Sequence, residues 1–175
     1  TILQSLPENE ALLRSDMRRL NEVRDARSKI ADAFFARVAQ NSDQLGDEYL
    51  PQERIEKALL KISGDGPFEF MIDMGTGTGR MLELFSNRIK RGAGIDSNPE
   101  MLKVARHKLA PDEFAHISVQ QGDLHTTPFR EKTADLVTLH QVLHYLDEPR
   151  EAIFEASRLL APEGQLLIID FGSQV

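Results

Sequence analysis

One stretch, Phe68 to Asp96, constrains the fold of this chain more than any other. It reads FEFMIDMGTGTGR, continues through a segment of helical spacing, and closes on RGAGID. The apolar run Phe70-Met71-Ile72 ends in an acid, Asp73, and a loop follows with glycines at 75, 77 and 79. Met81, Leu84 and Phe85 fall on one side of a helix predicted from Arg80 to Phe85. Gly92 to Ile95 reads as a second short strand that ends in Asp96. Strand, glycine loop, helix, strand, acid is the order of half a nucleotide-binding α/β sheet.

Glycine has no Cβ, so it turns tightly, takes positive φ and lets a ligand touch the backbone. The alternating glycines therefore predict close backbone approach. The helix after the loop aims unpaired N–H groups at the same place. An acid at the end of the next strand can accept both hydroxyls of a ribose. The ligand expected is a nucleoside with an anionic group near the helix start. Two common fingerprints fail. The dinucleotide motif needs Gly or Ala at its sixth place, where this chain has Arg80 counting from Gly75 and Leu82 counting from Gly77. A P-loop needs Gly-Lys-Ser/Thr, and the chain has no Gly-Lys pair. What remains is Asp73-x-Gly75-x-Gly77-x-Gly79 with Asp96 downstream. Taken alone, that loop also fits an ordinary strand–turn–helix joint whose glycines serve packing.

The 175 residues suit one domain with a sizeable core. An apolar content of 41% and a mean hydropathy of -0.35 indicate a globular chain. No apolar run is long enough to cross a bilayer. The net charge of -7 argues against direct nucleic-acid binding. Without cysteine there are no disulfides, thiolate metal sites or cysteine nucleophiles. That composition is compatible with the cytoplasm, the expected location.

Residues 1–50 read as a helical arm and linker, and residues 51–175 as the core domain. Leu13, Met17, Leu20, Val23, Ile30, Phe34 and Val38 recur at helical spacing, which predicts one long amphipathic helix over residues 1–39. Such a helix packs on its own domain or serves as a homodimerisation arm; both readings stay open. A second helix is expected from Pro51, with Ile55, Leu59 and Ile62 on its packed face. Asn98-Pro99 supplies an N-cap and first-turn proline for a third. Ile117 to Gln121 reads as a strand ending in Gly122-Asp123-Leu124, and Leu136 to Leu139 as another, opened by Asp135. Pro149 starts a further helix. Gln165 to Phe171 reads as a fifth strand, whose unalternated Leu166-Leu167-Ile168-Ile169 predicts burial on both faces. Strands alternating with helices mean a parallel, right-handed sheet.

From about Gly66 to Phe171 this pattern resembles the class I S-adenosylmethionine (SAM) dependent methyltransferases, strand by strand. It is most similar to the ubiquinone/menaquinone-biosynthesis-like enzymes. GTGTGRMLELF, GIDSNPEML and HQVLHYLDEP look especially like the methyltransferase half of fusions to arsenic-repressor-type winged-helix regulators. The resemblance implies a Rossmann-like three-layer sandwich with sheet order 3-2-1-4-5. It implies SAM as cofactor and methyl transfer to a small-molecule acceptor. It places the loop Gly75, Thr76, Gly77, Gly79 around the methionine part and Asp73 near its ammonium. Asp96, with Ser97 beside it, holds the ribose; Met101 packs on the adenine; Gly122, Asp123 and Leu124 meet the adenine edge; His140 lines the floor near the sulfonium. No metal is expected. Bland readings stay open for the acids: Asp96 can cap the helix at Pro99, and Asp123 can be a turn residue.

His140 is the first candidate for a base and His144 the second, since histidine titrates near neutrality. The strand before Gln141 lacks the Asn/Asp-Pro-Pro-Tyr/Phe pattern of amino-group nucleic-acid methyltransferases, and no cysteine is present to bind arsenic. An oxygen or carbon nucleophile is left as acceptor. A non-catalytic SAM-binding module acting on a partner or a DNA-binding domain is the alternative. The resembling family has seven strands, so a chain ending at Val175 is expected to lack the C-terminal ones and to leave strand five with an open edge.

Overall fold

The computed structural model of this chain describes residues 52–110 and 112–170. The long amphipathic helix expected over residues 1–39, its dimerisation role and the linker after it lie outside the described residues. Helix α1 spans Gln52–Ile62, strand β1 Met71–Met74, helix α2 Arg80–Phe85 and strand β2 Gly92–Asp96. Helix α3 covers Pro99–Lys108, strand β3 Ile117–Gln121 and strand β4 Ala134–His140. A 3-10 turn at Leu143–Tyr145 leads to helix α4, Pro149–Leu159, and then to strand β5, Leu160–Ile169.

All pairings are parallel, and the order is β3-β2-β1-β4-β5, the order that the family resemblance implies. Alternation along β1 distributes its side chains. Ile72 and Met74 enter one core with Ile95, Val137, Leu139 and the α4 residues Ala152, Ala156 and Leu159. Met71 enters the other with Leu59 of α1, Met81 and Leu82 of α2, and Leu109 after α3. Helices thus cover both faces of the sheet. Local signals hold at α3, where the Asn98 side chain accepts from the backbone N–H of Glu100 and Met101 and Pro99 opens the first turn. Among the described residues no helix is long and apolar enough to cross a membrane.

Two expectations need correction. Ile62 is 71% exposed. The packed face of α1 carries Ile55, Leu59 and Leu60 instead, together with the buried carboxylate of Glu56. The helix ends at Ile62, whose side chain falls on the outer face, and burial resumes at the next residue, Ser63, 3% exposed. The fifth strand is not buried on both faces: Ile168 is 44% exposed and its neighbours only half-buried. Its one partner among the described residues is β4, so one edge and part of each face lack cover. The strand also begins earlier than expected. Leu160 pairs with Ala134 and Gln165 with Leu136, which leaves residues 161–164 bulged out, with Glu163 at φ 68.

A buried carboxylate ties α4 to the loop before β4. Oε1 of Glu155 accepts from the backbone N–H and hydroxyl of Thr127, at 2.8 and 2.7 Å, and Arg158 donates to both its oxygens. Arg158 first, then Thr127, holds the Glu155 carboxyl down at about 2 against an ordinary 4.5. A depressed folded-state value means stability that is present above pH 4.5 and lost as pH falls toward 2. Glu155→Gln is therefore expected to cost about 1–3 kcal/mol at pH 7. Urea unfolding at several pH values should show the gap to the parent protein closing below about pH 4.

Candidate functional site

In a sheet ordered 3-2-1-4-5 the connections diverge between β1 and β4, and a crevice opens beyond the carboxyl ends of those strands. The loops bordering it here are Gly75–Gly79 and Gln141–Leu146. The register lines up their neighbours. Met74 pairs with both Ile95 and Leu139, so the next residues, Gly75, Asp96 and His140, lie at one level across the sheet.

Asp73 stands one residue before the end of β1 and is 1% exposed. It pairs in register with Thr138, whose Oγ1 donates to its Oδ1 at 2.6 Å. Burial raises the Asp73 carboxyl from 3.8 to about 6; the Thr138 hydrogen bond offsets part of this, and the charge of Asp96 adds to it. The Thr76 hydroxyl is close enough to lower it further, yet it is buried without a well-formed hydrogen bond of its own among the described residues.

The glycine loop is pinned by Gly75 and Thr76 N–H to the Ile95 carbonyl, at 2.8 and 3.0 Å. Its glycines do different work. A Cβ at Gly75 would collide with the Val142 side chain, and one at Gly79 would lie 2.8 Å from Cδ1 of Leu109. At Gly75 both the Val142 contact and φ +78 demand glycine; at Gly79 the Leu109 tip can give way, and φ +83 makes the demand. At Gly77, φ is +53 and a Cβ would meet only Cε of Met101, at 3.5 Å. That is an ordinary contact, so the positive φ rather than crowding favours glycine there. Gly77 N–H donates to Asp96 Oδ2 at 2.8 Å, while Asp96 Oδ1 accepts from Asn98 N–H at 2.8 Å. Asp96 therefore braces the loop and opens α3 together.

The remaining sequence-predicted residues flank this centre. Ser97 is exposed, and its carbonyl accepts from the Gln121 side chain. Met101 is buried beside Gly77. A Cβ at Gly122 would meet Ile95 Cδ1 at 2.6 Å, so this glycine too is set by packing. The Leu124 side chain belongs to the core, which leaves its backbone for any ligand. Asp123 is exposed, and its Oδ1 takes His125 N–H and contacts His125 Nδ1 at 2.7 Å; His125 lowers its pKa. His140 is largely buried, and its Nε2 has no hydrogen-bond partner among the described residues. Burial lowers its pKa, with Asp170 and Glu56 pulling the other way.

Two functional groups escaped the sequence reading. Glu56 of α1, 7% exposed, receives Arg80 through Nε and Nη2 at 2.8 and 2.7 Å, and Arg80 also donates to Glu83. This fork clamps α1 over the start of α2, and Glu56 drives the Arg80 pKa upward. Asp170, just past β5, accepts from Leu143 N–H at 2.8 Å and contacts His144 Nδ1 at 2.5 Å.

The donor set fits SAM. Buried Asp73 calls for a cation and the methionine ammonium is one; Asp96 beside Gly77 suits a ribose; Asp123 offers a carboxylate to an adenine amino group. Fold and site together define a nucleoside-binding, doubly wound α/β protein. A family model described as a methyltransferase domain matches residues 72–168. That is more than half of the chain, and the chain belongs to this family, the class I SAM-dependent methyltransferases, whose cofactor is SAM. The malonyl-[acyl-carrier protein] O-methyltransferase of Hahella chejuensis is 30% identical over 81% of this chain and 49% of its own length. The demethylmenaquinone methyltransferase of Thermotoga maritima is 27% identical over 81% of this chain and 62% of its own length. A SAM-dependent methyltransferase from Aquifex aeolicus shares the fold with TM-score 0.64 at 24% identity, over 77% of this chain and 72% of that one. Phosphoethanolamine N-methyltransferase 1 of Haemonchus contortus, solved with phosphoethanolamine and S-adenosylhomocysteine, does so with TM-score 0.70 at 22% identity, over 86% of this chain and 33% of that one. The chain spans about half the length of the curated relatives it matches.

The raised Asp73 value carries a stability cost with a definite sign. The folded state holds this proton more tightly than the unfolded chain does, so the cost is absent below pH 3.8, grows as pH rises to about 6 and is complete above it. Asp73→Asn keeps an acceptor for Thr138 and removes the charge. It is expected to stabilise the ligand-free protein by roughly 1–3 kcal/mol at pH 8, with no gain below about pH 4. Its SAM affinity should fall at least tenfold. Chemical denaturation across pH and calorimetric titration read the two effects separately.

Proposed function

We propose that this chain binds SAM in the β1–β4 crevice and serves the transfer of its methyl group to a small organic acceptor with an oxygen or carbon nucleophile. The observation that carries the reading is the Asp96–Gly77 hydrogen bond. It sets a carboxylate against a loop glycine held at φ +53, where an added Cβ would make only an ordinary contact with Cε of Met101. When bound, the cofactor supplies an electrophilic methyl on a sulfonium sulfur. Asp73, held by Thr138, offers its carboxylate to the ammonium. Asp96 accepts the ribose hydroxyls, and Asp123 the adenine amino group. Met101 packs on the base, with Ser97 and the backbone of Gly122 and Leu124 along its edge. Thr76 and His140 line the floor, each with a buried polar atom lacking a partner among the described residues. Much of the rate of an in-line displacement comes from alignment of nucleophile and methyl, and these residues hold the methyl end still. We place the reaction in the cytoplasm.

Calorimetric titration with SAM, S-adenosylhomocysteine and NAD, side by side, tests the cofactor. The first two are expected to bind and NAD not to. Binding of NAD at micromolar concentration, with none of SAM, would overturn the reading. Asp96→Ala removes two charge-assisted hydrogen bonds to the ribose, each worth about 1.5–3 kcal/mol. It should weaken SAM at least tenfold while the protein still unfolds cooperatively.

A further inference from the structure

We propose that a groove at the amino ends of the strands is a second ligand site, and that it takes a phosphate monoester with a flat apolar body. The site lies outside the methyl-transfer reading above and does not rest on it.

Parallel strands are usually joined by a helix packed on the sheet. The connection from β3 to β4, residues 122–133, carries none. The starts of β2 and β3 are therefore thinly covered on the face of the sheet that holds α4. Ala93 and Ser118 are register partners and share that face; Ala93 is buried and Ser118 exposed. A groove of about 320 Å³ lies over them, room for a ring and a charged head. Phe70 directly precedes β1, Gly92 opens β2 and Thr133 directly precedes β4, and all three line the groove. The cofactor residues Asp73, Asp96 and His140 stand at or beside the opposite, carboxyl ends of the same strands.

Two rings and two cations complete the lining. Phe70 and Phe129 meet edge to face, with centroids 6.3 Å apart. Both are anchored from behind: Phe70 is 8% exposed and its N–H donates to Asp135 Oδ2 at 3.0 Å, and the Phe129 carbonyl accepts from Arg158 at 3.0 Å. The Arg91 guanidinium carbon lies 4.0 Å from the centre of the Phe70 ring, and Arg130 follows Phe129 along the groove. A ring face attracts a guanidinium but takes up none of its in-plane hydrogen bonds. Neither arginine has a carboxylate partner among the described residues. The nearby acids are engaged elsewhere: Glu69 with Lys90 at 2.6 Å, Asp135 with the N–H groups of Glu69 and Phe70, and Glu155 with Arg158, on which the charge of Glu131 also falls.

Two such guanidiniums around one small groove stand out in a chain of net charge -7. Their forks match the oxygens of a phosphate, and a phosphate monoester carries about -1.5 to -2 charge at pH 7, enough to engage both. The Thr133 hydroxyl donates to the Arg130 carbonyl at 2.9 Å, which steadies the loop that carries Arg130. The aromatic walls call for a flat hydrocarbon body on the ester oxygen, because a bare ion would leave Phe70 and Phe129 facing water.

Phenyl phosphate, titrated into the isotope-labelled chain and followed by nuclear magnetic resonance, tests the site. Saturable shifts are expected at the backbone amides of Gly92, Ala93 and Ser118, with a Kd below about 1 mM, and none at Gly75, Gly77 or Gly79. Inorganic phosphate lacks the ring and benzoate the second charge, so each should bind at least about tenfold more weakly. The double variant Arg91→Gln/Arg130→Gln should lose the shifts. Ser118→Phe keeps both charges but fills the groove, and it should lose them too; urea unfolding checks that each variant folds. Because the readout uses no SAM, it stands whether or not the cofactor reading does. No saturable shift up to about 10 mM, equal affinity for inorganic phosphate, or shifts that survive the double arginine variant would overturn the proposal. Shifts confined to the glycine loop would place the probe in the cofactor crevice and overturn it as well.

Discussion

A desolvated carboxylate at the end of the central strand is the constraint on which the rest of this structure depends. Every other side chain of β1 is apolar and buried, and the strand is covered on both faces. Asp73 interrupts that run where the strand reaches the crevice. Its position between β2 and β4 lets Thr138 reach it across the sheet. The Thr138 and Thr76 hydroxyls offset only part of the burial, and the carboxyl stays at about 6. Folding therefore keeps a charge with no counter-ion recorded against it among the described residues. A cation in the crevice would offset that charge, and the rigid sheet holds the acid in place beforehand.

Around that acid, polar contacts between distant segments set the shape of the crevice. Asp96 ties the glycine loop to the start of α3. Glu56 and Arg80 tie α1 to the start of α2. Asp170 ties the end of β5 to the turn after β4. Each carboxylate bridges two elements through its two oxygens, so each acts as a bracket rather than as a lone charge. With removal of one partner the other is left wholly or partly desolvated, which is why such contacts give geometry more than net stability.

Much of this was legible in the sequence. The alternation of strands and helices, the helix at Arg80 to Phe85, the Asn98 cap and the strand-end places of the acids at 73 and 96 follow from local patterns of period, punctuation and capping, while the strand order came with the family resemblance. The illegible parts depend on long-range geometry. Nothing within a helical turn of Glu56 marks it as buried; its partner Arg80 lies on another helix. Asp170 meets His144 only because His140 and Ile169 are in register. The glycines looked alike in sequence, yet a Cβ at Gly75 or Gly122 would press on Val142 or Ile95 and one at Gly79 on the tip of Leu109, whereas at Gly77 it would make only an ordinary contact with Met101. Ile62 and Ile168 kept the right period for burial but sit where no described element covers them.

The seating of Val142 on Gly75 has a bearing on how such a protein can change over generations. The segment after β4 borders the space an acceptor would enter, so it is the natural place for new specificities to arise. In this chain that segment is also a wall of the cofactor loop. A bulkier residue at 142 would push the loop away from Asp96, and a smaller one would leave Gly75 unsupported. Change in this segment is thus freer at the positions flanking Val142, while Val142 itself is held by its packing on Gly75.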